Sequence, residues 1–236
     1  PFLRKQFRLN TSPVSARAYV NALGYYELHC NDQKVDDHLL MPAPSQYDKR
    51  SYYTVHDVTD MFQEGENAVG LWLGRGWYSE GLPGVAHTGP VVRAFVELVF
   101  PDGAVMQIAT DETWKGHTSH YSRIGLWRGG NFGGERVDAQ KRIDGWSSPD
   151  FDAADWDNVI APAIPAHPVT AQWAEPNRAV RTLRPRRIEP GEGGTWTVDF
   201  SQNVTGVFSM RFQDLVPGQE VTLAFADDIR SLKEED

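Results

Sequence analysis

Acid–base catalysis needs carboxyl groups, and the carboxylates that merit attention are Glu27, Asp48, Glu80, Glu135 and Asp138. Glu135 and Asp138 are the tempting pair, in the run Glu135-Arg136-Val137-Asp138-Ala139 behind a glycine-rich loop. A general acid and a general base must converge on one reacting group. Side chains alternate faces along a strand, so residues three apart point opposite ways. The pattern therefore predicts an ion pair with Arg136 or Arg142, or a turn hydrogen bond, rather than catalysis. The histidines are scattered: His29, His38, His56, His87, His117, His120 and His167. Only His117 and His120 are close, and a strand would turn them to opposite faces, so no metal site is expected. No P-loop, dinucleotide fingerprint, nucleophile elbow or zincin motif is present. The loop Gly129-Gly-Asn-Phe-Gly-Gly134 lacks the Lys-Ser/Thr and the helix that a phosphate loop requires.

A binding site is better supported than a catalytic one. A carbohydrate needs an aromatic platform beside hydrogen-bonding side chains. Arg75, Trp77 and Tyr78 lie together after an apolar run, and Trp127, Arg128 and Asn131 lie in the glycine-rich loop. If the fold brings these loops to one end, they form a shallow glycan site. The competing reading is that both tryptophans cap the core.

The elements that position these residues follow from composition and pattern. The chain has 236 residues, 40% hydrophobic and 23% charged, enough for one large or two small globular domains. A net charge of −9 argues against a nucleic-acid surface, which needs a basic patch. The locally basic run Arg181-Thr-Leu-Arg-Pro-Arg-Arg187 is short and interrupted by proline. Cys30, the single cysteine, excludes an internal disulfide, and its alternating surroundings make it a strand residue rather than a nucleophile. No apolar run reaches the length of a membrane span. Pro1 opens directly on mixed polar sequence, which reads as the start of a segment inside a longer gene product or one exposed by processing.

Strand signals dominate up to about residue 160, with no long helical period. Leu3–Leu9, Ala18–Leu23, Tyr25–Cys30, Tyr47–His56, Val91–Phe100 and Ala104–Thr110 alternate or are β-rich. Ala68–Leu73 is apolar on both faces and so reads as a central strand. Asn31-Asp32 and Pro101-Asp102-Gly103 are hairpin turns. Asp57–Phe62 reads as one helical turn capped by Asp57 or Thr59. Many short strands at this spacing predict an all-β jelly-roll or galactose-binding-like β-sandwich over residues 1–165. A proline-rich connector, Ala161–Pro168, follows. Val180–Ile188, Thr195–Phe200, Val207–Phe212 and Glu220–Ala226 then read as strands of a second β-sandwich domain over 166–236, too thin to close a core alone.

Several motifs in order resemble one family. They are Ala18–Leu28 with Asn31-Asp-Gln-Lys-Val35, Tyr47-Asp-Lys-Arg50, Val55-His-Asp-Val-Thr-Asp60, Gly65-Glu-Asn-Ala-Val69 and Leu73-Gly-Arg-Gly-Trp-Tyr78. Thr110–Trp114 follows, then Glu135 and Asp138 with Trp146 and Trp156, and finally Asp199-Phe-Ser-Gln-Asn203. This series resembles the N-terminal accessory β-region of bacterial α-L-rhamnosidases, which are large multidomain inverting glycoside hydrolases. Glu135, Asp138, Trp146 and Trp156 form a structural motif in that resemblance. The family's catalytic carboxylates belong to a later helical α/α-barrel, so the resemblance implies a non-catalytic region with no cofactor. It also implies two partners, a catalytic domain of the same parent chain and a rhamnose-containing glycan, and neither nucleic acid nor membrane. Some similar domains bind rhamnose through calcium, but Arg75, Arg123 and Arg128 in the two loops argue against a cation there and favour an acidic sugar. The alternative is a free-standing carbohydrate-binding module for rhamnose-containing or acidic glycans.

Overall fold

The structure is a computed structural model that describes residues 1–79, 89–125, 133–163 and 166–226. Glu80, His87, Trp127, Arg128 and Asn131 lie outside the described residues. In chain order the strands are β1 (Phe2–Leu9), β2 (Ser15–Leu23), β3 (Tyr25–Cys30), β4 (Gln33–Lys34), β5 (Ser51–Asp57), β6 (Gly65–Gly74), β7 (Val91–Val99) and β8 (Val105–Ala109). The short strands β9 (Lys115–His117), β10 (Tyr121–Ile124), β11 (Gly134–Val137), β12 (Asp157–Asn158) and β13 (Val169–Ala171) follow. Last come β14 (Arg187–Pro190) and β15 (Trp196–Asp199).

A six-stranded sheet, β12-β9-β1-β6-β3-β4, faces a five-stranded sheet, β13-β5-β2-β7-β8. The alternation seen in the sequence supplies the layer between them. Phe7 and Leu9 of β1, Leu28 and Cys30 of β3, and Val69, Leu71 and Leu73 of β6 point inward from the first sheet. They meet Ala16, Ala18 and Val20 of β2 and Ala94, Val96 and Leu98 of β7 from the second. The small alanines of β2 let the bulky residues opposite interdigitate. Burial also pushes the Cys30 thiol pKa up, in keeping with a core residue.

The turns form where the sequence places them. Asn31 and Asp32 take φ of 48° and 65°, the left-handed pair that a two-residue hairpin between β3 and β4 requires. Asp102 and Gly103 close the β7–β8 hairpin, with Phe100 N–H donating to Ala104 O at 2.9 Å. Asp57 Oδ1 accepts from both Thr59 N (3.1 Å) and Thr59 Oγ1 (2.6 Å), holding the short 3-10 turn Thr59–Met61.

The outer face of the six-stranded sheet is not bare. Residues 143–156 cross it as a flap, and Trp146 and Trp156 pack on Phe2. The Phe2 and Trp146 rings stack at 4.5 Å. Arg4, buried on the same face, donates from Nη2 to Ser148 O at 2.8 Å and lies over the Phe151 ring. Ser147 Oγ reaches Asp32 Oδ1 at 3.2 Å, and Asp32 N–H reaches Ser147 O at 3.1 Å. β6 is thus covered on both sides, as its apolar run predicts.

Two expectations change. The strand expected from Tyr47 begins only at Ser51, because Tyr47 is buried in a separate cluster with Leu23, Tyr78 and Val91. Among the described residues after β13, only β14 and β15 form, pairing Arg187 with Asp199 and Pro190 with Trp196. Val207–Phe212 and Glu220–Ala226 form no strands. Their apolar side chains, including Val207, Phe208, Met210 and Phe225, are exposed, and no ladder pairs them among the described residues. By contacts the chain divides into units Pro1–Arg178 and Ala179–Asp236. The connector's continuation stays with the first unit, because β13 adds to the edge of β5 as a parallel strand, Val169 opposite Ser51.

Gly70 lies under the flap: a Cβ there would come within 2.6 Å of the Trp146 ring. Gly70→Ala should lift the flap and destabilise the first unit by about 1–3 kcal/mol. A lowered urea midpoint with unchanged slope would register this.

Candidate functional site

The loops at the end of the sandwich are set by close backbone approach. Gly24 joins β2 to β3 at φ 112°, and a Cβ there would sit 2.4 Å from Gly74 O. Only glycine allows this contact. It holds the exit of β6 in place, and the 3-10 turn Gly76–Ser79 follows directly.

Arg75 and Trp77 of this turn face solvent, with Trp77 37% exposed. The Trp77 indole N–H donates to the Tyr25 hydroxyl, which fixes the ring's attitude; burial dominates and raises the Tyr25 pKa despite that bond. Tyr78 does not join them as a sugar-facing ring. It is 0% exposed and meets Tyr47 edge-on at 5.2 Å. Successive residues of a tight turn diverge, so Trp77 goes outward while Tyr78 anchors the turn. Burial also pushes the Tyr47 pKa up to about 12. Trp127, Arg128 and Asn131 fall in sequence between β10 and β11, which pair antiparallel from Tyr121–Val137 to Ile124–Gly134; the three residues themselves are outside the described set.

At the same end, on the outer face of the five-stranded sheet, lies a cleft of about 210 Å³. Leu23, Val91 and Val169 give it apolar walls, and Asn21, Arg93 and His167 give it polar groups. Asn21 Nδ2 donates to Ser51 Oγ (2.9 Å) and Tyr52 O (2.7 Å), and His167 Nε2 lies 2.9 Å from the same Ser51 Oγ. This Asn–Ser–His chain resembles a nucleophile arrangement only superficially. Ser51 is buried and its oxygen already accepts from Asn21, so it positions the connector rather than attacks a substrate. The cleft is smaller than the roughly 300–1,000 Å³ of usual small-molecule pockets and suits a single sugar ring. No local pattern announces this cleft, because its third wall arrives with the parallel pairing of β13.

A second grouping escaped the sequence reading. Asp36, His38 and His56 bring one ligand atom each to within 4.8 Å of one another, the one such grouping among the described residues. His56 comes from β5, and Asp36 and His38 from the loop after β4. Nothing in their spacing announces the cluster, since long-range sheet packing assembles it. Asp36 Oδ2 is 2.7 Å from His56 Nδ1 and 2.9 Å from His38 Nδ1. Burial pushes the Asp36 carboxyl up, but bonds from the His56 ring and the His38 backbone N–H outweigh it and hold the pKa below the usual value. Burial lowers the His38 pKa.

The remaining candidates are structural. Trp146 and Trp156 are core residues of the flap. Asp138 is not on the strand with Glu135 but caps the turn Ala139–Lys141, accepting from Gln140 N–H at 3.2 Å and pairing with Lys141 at 3.3 Å. A turn hydrogen bond was expected; the cation is Lys141 rather than Arg136 or Arg142. Glu135, on β11, is exposed opposite Arg123. His117 rests on Trp156 at 5.2 Å and His120 on Trp72 at 5.9 Å, so the close histidine pair is divided between two aromatic partners.

The first unit is thus a two-sheet β-sandwich with a small, partly apolar surface cleft. Comparison with known proteins makes this specific. Residues 11–181 match the family described as α-L-rhamnosidase N-terminal domain, and the chain belongs to that family. An α-L-rhamnosidase of Formosa agariphila is 33% identical over 214 residues, covering 87% of this chain and 22% of the relative. Among solved structures, α-L-rhamnosidase from Dictyoglumus thermophilum is 33% identical with a TM-score of 0.77, covering 86% of this chain and 22% of that one. The Streptomyces avermitilis α-L-rhamnosidase complexed with L-rhamnose is 30% identical with a TM-score of 0.75, covering 86% and 20%. The chain therefore spans about a fifth of the length of the relatives it matches.

Because the Tyr78 hydroxyl is buried with no hydrogen-bond partner among the described residues, Tyr78→Phe should leave stability unchanged or raise it by up to about 1 kcal/mol. Tyr78→Ala should cost about 3–5 kcal/mol through the cavity it opens. Exposed Trp77→Ala should stay within about 0.5 kcal/mol of the parent. Chemical denaturation of the three variants separates the anchor from the platform.

Proposed function

We propose that this chain is the N-terminal β-region of a hydrolase of terminal α-L-rhamnosides, and that bond cleavage belongs to a helical barrel domain of the same parent chain. The match over residues 11–181 carries this reading. The site chemistry supports it. Among the described residues, no carboxylate lines the Asn21–Arg93–His167 cleft. A second, smaller cavity, between β3 and β5, is lined by Glu27 and Asp36, and both are engaged: Glu27 with Lys34 at 2.8 Å and Asp36 with the two imidazoles. Inverting hydrolysis needs two carboxyl groups free to act as acid and base across about 6.5–9.5 Å. A hydrolase assay with an aryl α-L-rhamnoside tests this: the chain alone should give no turnover, and joining it to the helical segment of a family member should restore it. Turnover by the chain alone would overturn the reading.

We also propose that the sandwich contacts glycan at the end carrying Arg75 and Trp77, with the neighbouring Asn21–Arg93–His167 cleft accepting one sugar ring. The apolar-walled, polar-lined cleft beside an outward-facing tryptophan is what supports this. A guanidinium at Arg93 favours a sugar with a carboxylate, which it can hold through two hydrogen bonds. Titration with rhamnose, glucuronate and mixed oligosaccharides, followed by tryptophan fluorescence, should show saturable binding. Arg93→Ala should weaken the acidic sugar about tenfold or more, in line with the roughly 1.5–3 kcal/mol of a charge-assisted bond, and Trp77→Ala should remove the fluorescence response. A flat titration at millimolar sugar would count against glycan contact while leaving the family assignment intact.

A further inference from the structure

We infer that Asp36, His38 and His56 form a binding site for a single zinc-type divalent cation, and that Arg178 competes with the cation for His38.

The donor set is two imidazoles and one carboxylate, which suits a tetrahedral cation with three protein ligands and one open position. The three ligand atoms already lie within 4.8 Å of one another. Their outer partners hold them there. Tyr26, reaching across from the opposite sheet, places its hydroxyl 2.7 Å from His56 Nε2, leaving His56 Nδ1 aimed at Asp36. Asp36 Oδ1 accepts from His38 N–H at 3.0 Å, which turns Oδ2 toward both rings. A bond to the far side of each ligand is the usual support of a metal site.

Two independent observations point into the same spot. His38 Nδ1 is buried and makes no well-aligned hydrogen bond, although it lies 2.9 Å from Asp36 Oδ2. Buried polar atoms left in that state are uncommon. Beside them lies a void of about 10 Å³, bounded by Asp36, His38, His56, Tyr26 and Met41, close to the room one ion or one water molecule needs.

Arg178 sets the condition for binding. Its guanidinium contacts His38 Nε2 and pairs with Asp37. Guanidinium only donates, so this contact makes Nε2 an acceptor and places the His38 proton on Nδ1, the atom a cation needs bare. The cation must therefore move that proton to Nε2 and displace Arg178, whose side chain is half exposed and able to leave. The cation and the arginine are alternative occupants of one imidazole. Because Arg178 ends the first unit, loading the site would unclasp the last residues of that unit from the loop after β4.

Cobalt(II) serves as a spectroscopic probe and zinc as a competitor. The chain should bind one Co²⁺ with a visible d–d band that zinc abolishes. Asp36→Asn and His38→Ala should each weaken binding at least tenfold, with circular dichroism checking that both remain folded. Arg178→Gln should tighten binding several-fold, an outcome that a merely structural cluster does not produce. Absence of a cobalt band, or a band indifferent to both ligand substitutions, would overturn the site; unchanged affinity in Arg178→Gln would overturn the competition.

Discussion

The strand Gly65–Gly74 is the constraint on which this fold depends, because it must be buried on both faces at once. Its inward residues Val69, Leu71 and Leu73 fill the layer between the sheets. On the outward side Gly70 admits Trp146, and Trp72 packs against Phe2. A sheet strand exposed on one side would tolerate a polar residue at every second position. This one does not, so the chain must return after β11 and lay residues 143–156 across it. The flap is held by aromatic stacking and by a few polar bonds, among them Arg4 to Ser148 and Ser147 to Asp32. The sandwich is thus three layers deep along its middle.

That rigid middle explains why the functional features gather at the ends and edges. The exit of β6 is pinned by Gly24 against Gly74, so the turn carrying Trp77 leaves at a defined angle, with Tyr78 as its anchor. The cleft on the other sheet exists because the connector comes back to pair with β5 instead of leaving at the prolines. Tyr26 performs a similar service, spanning the layer to reach Thr54 and His56 of β5. At the turn, Trp77 is exposed while the neighbouring Tyr78 is locked in the core.

Much of this was readable from residue order. Alternation in β1, β2, β3 and β7 marked the faces correctly because one side of each strand meets only apolar partners. Asn31-Asp32 and Pro101-Asp102-Gly103 marked their turns through backbone chemistry alone. The errors have a common physical origin. Tyr47 reads as strand and Tyr78 as surface because both are aromatic, yet tertiary packing assigns them to one small cluster. Val207–Phe212 reads as a strand because its pattern is sound, but a pattern without a neighbouring sheet has no ladder to join. The Asp36–His38–His56 grouping and the Asn21–Arg93–His167 cleft depend on strand pairing between distant segments, and no local spacing encodes that.

The parallel pairing of β13 has a mechanical meaning. Ser51 N–H to Pro168 O and Gln172 N–H to Tyr53 O bracket the pairing, and Leu39 N–H to Asn177 O adds a further tie beyond it. A tug transmitted along the departing polypeptide runs parallel to this ladder, so it loads these bonds together in shear rather than peeling them one by one. The connector is rich in proline, and the segment that follows it is riveted to the sheet edge through β13.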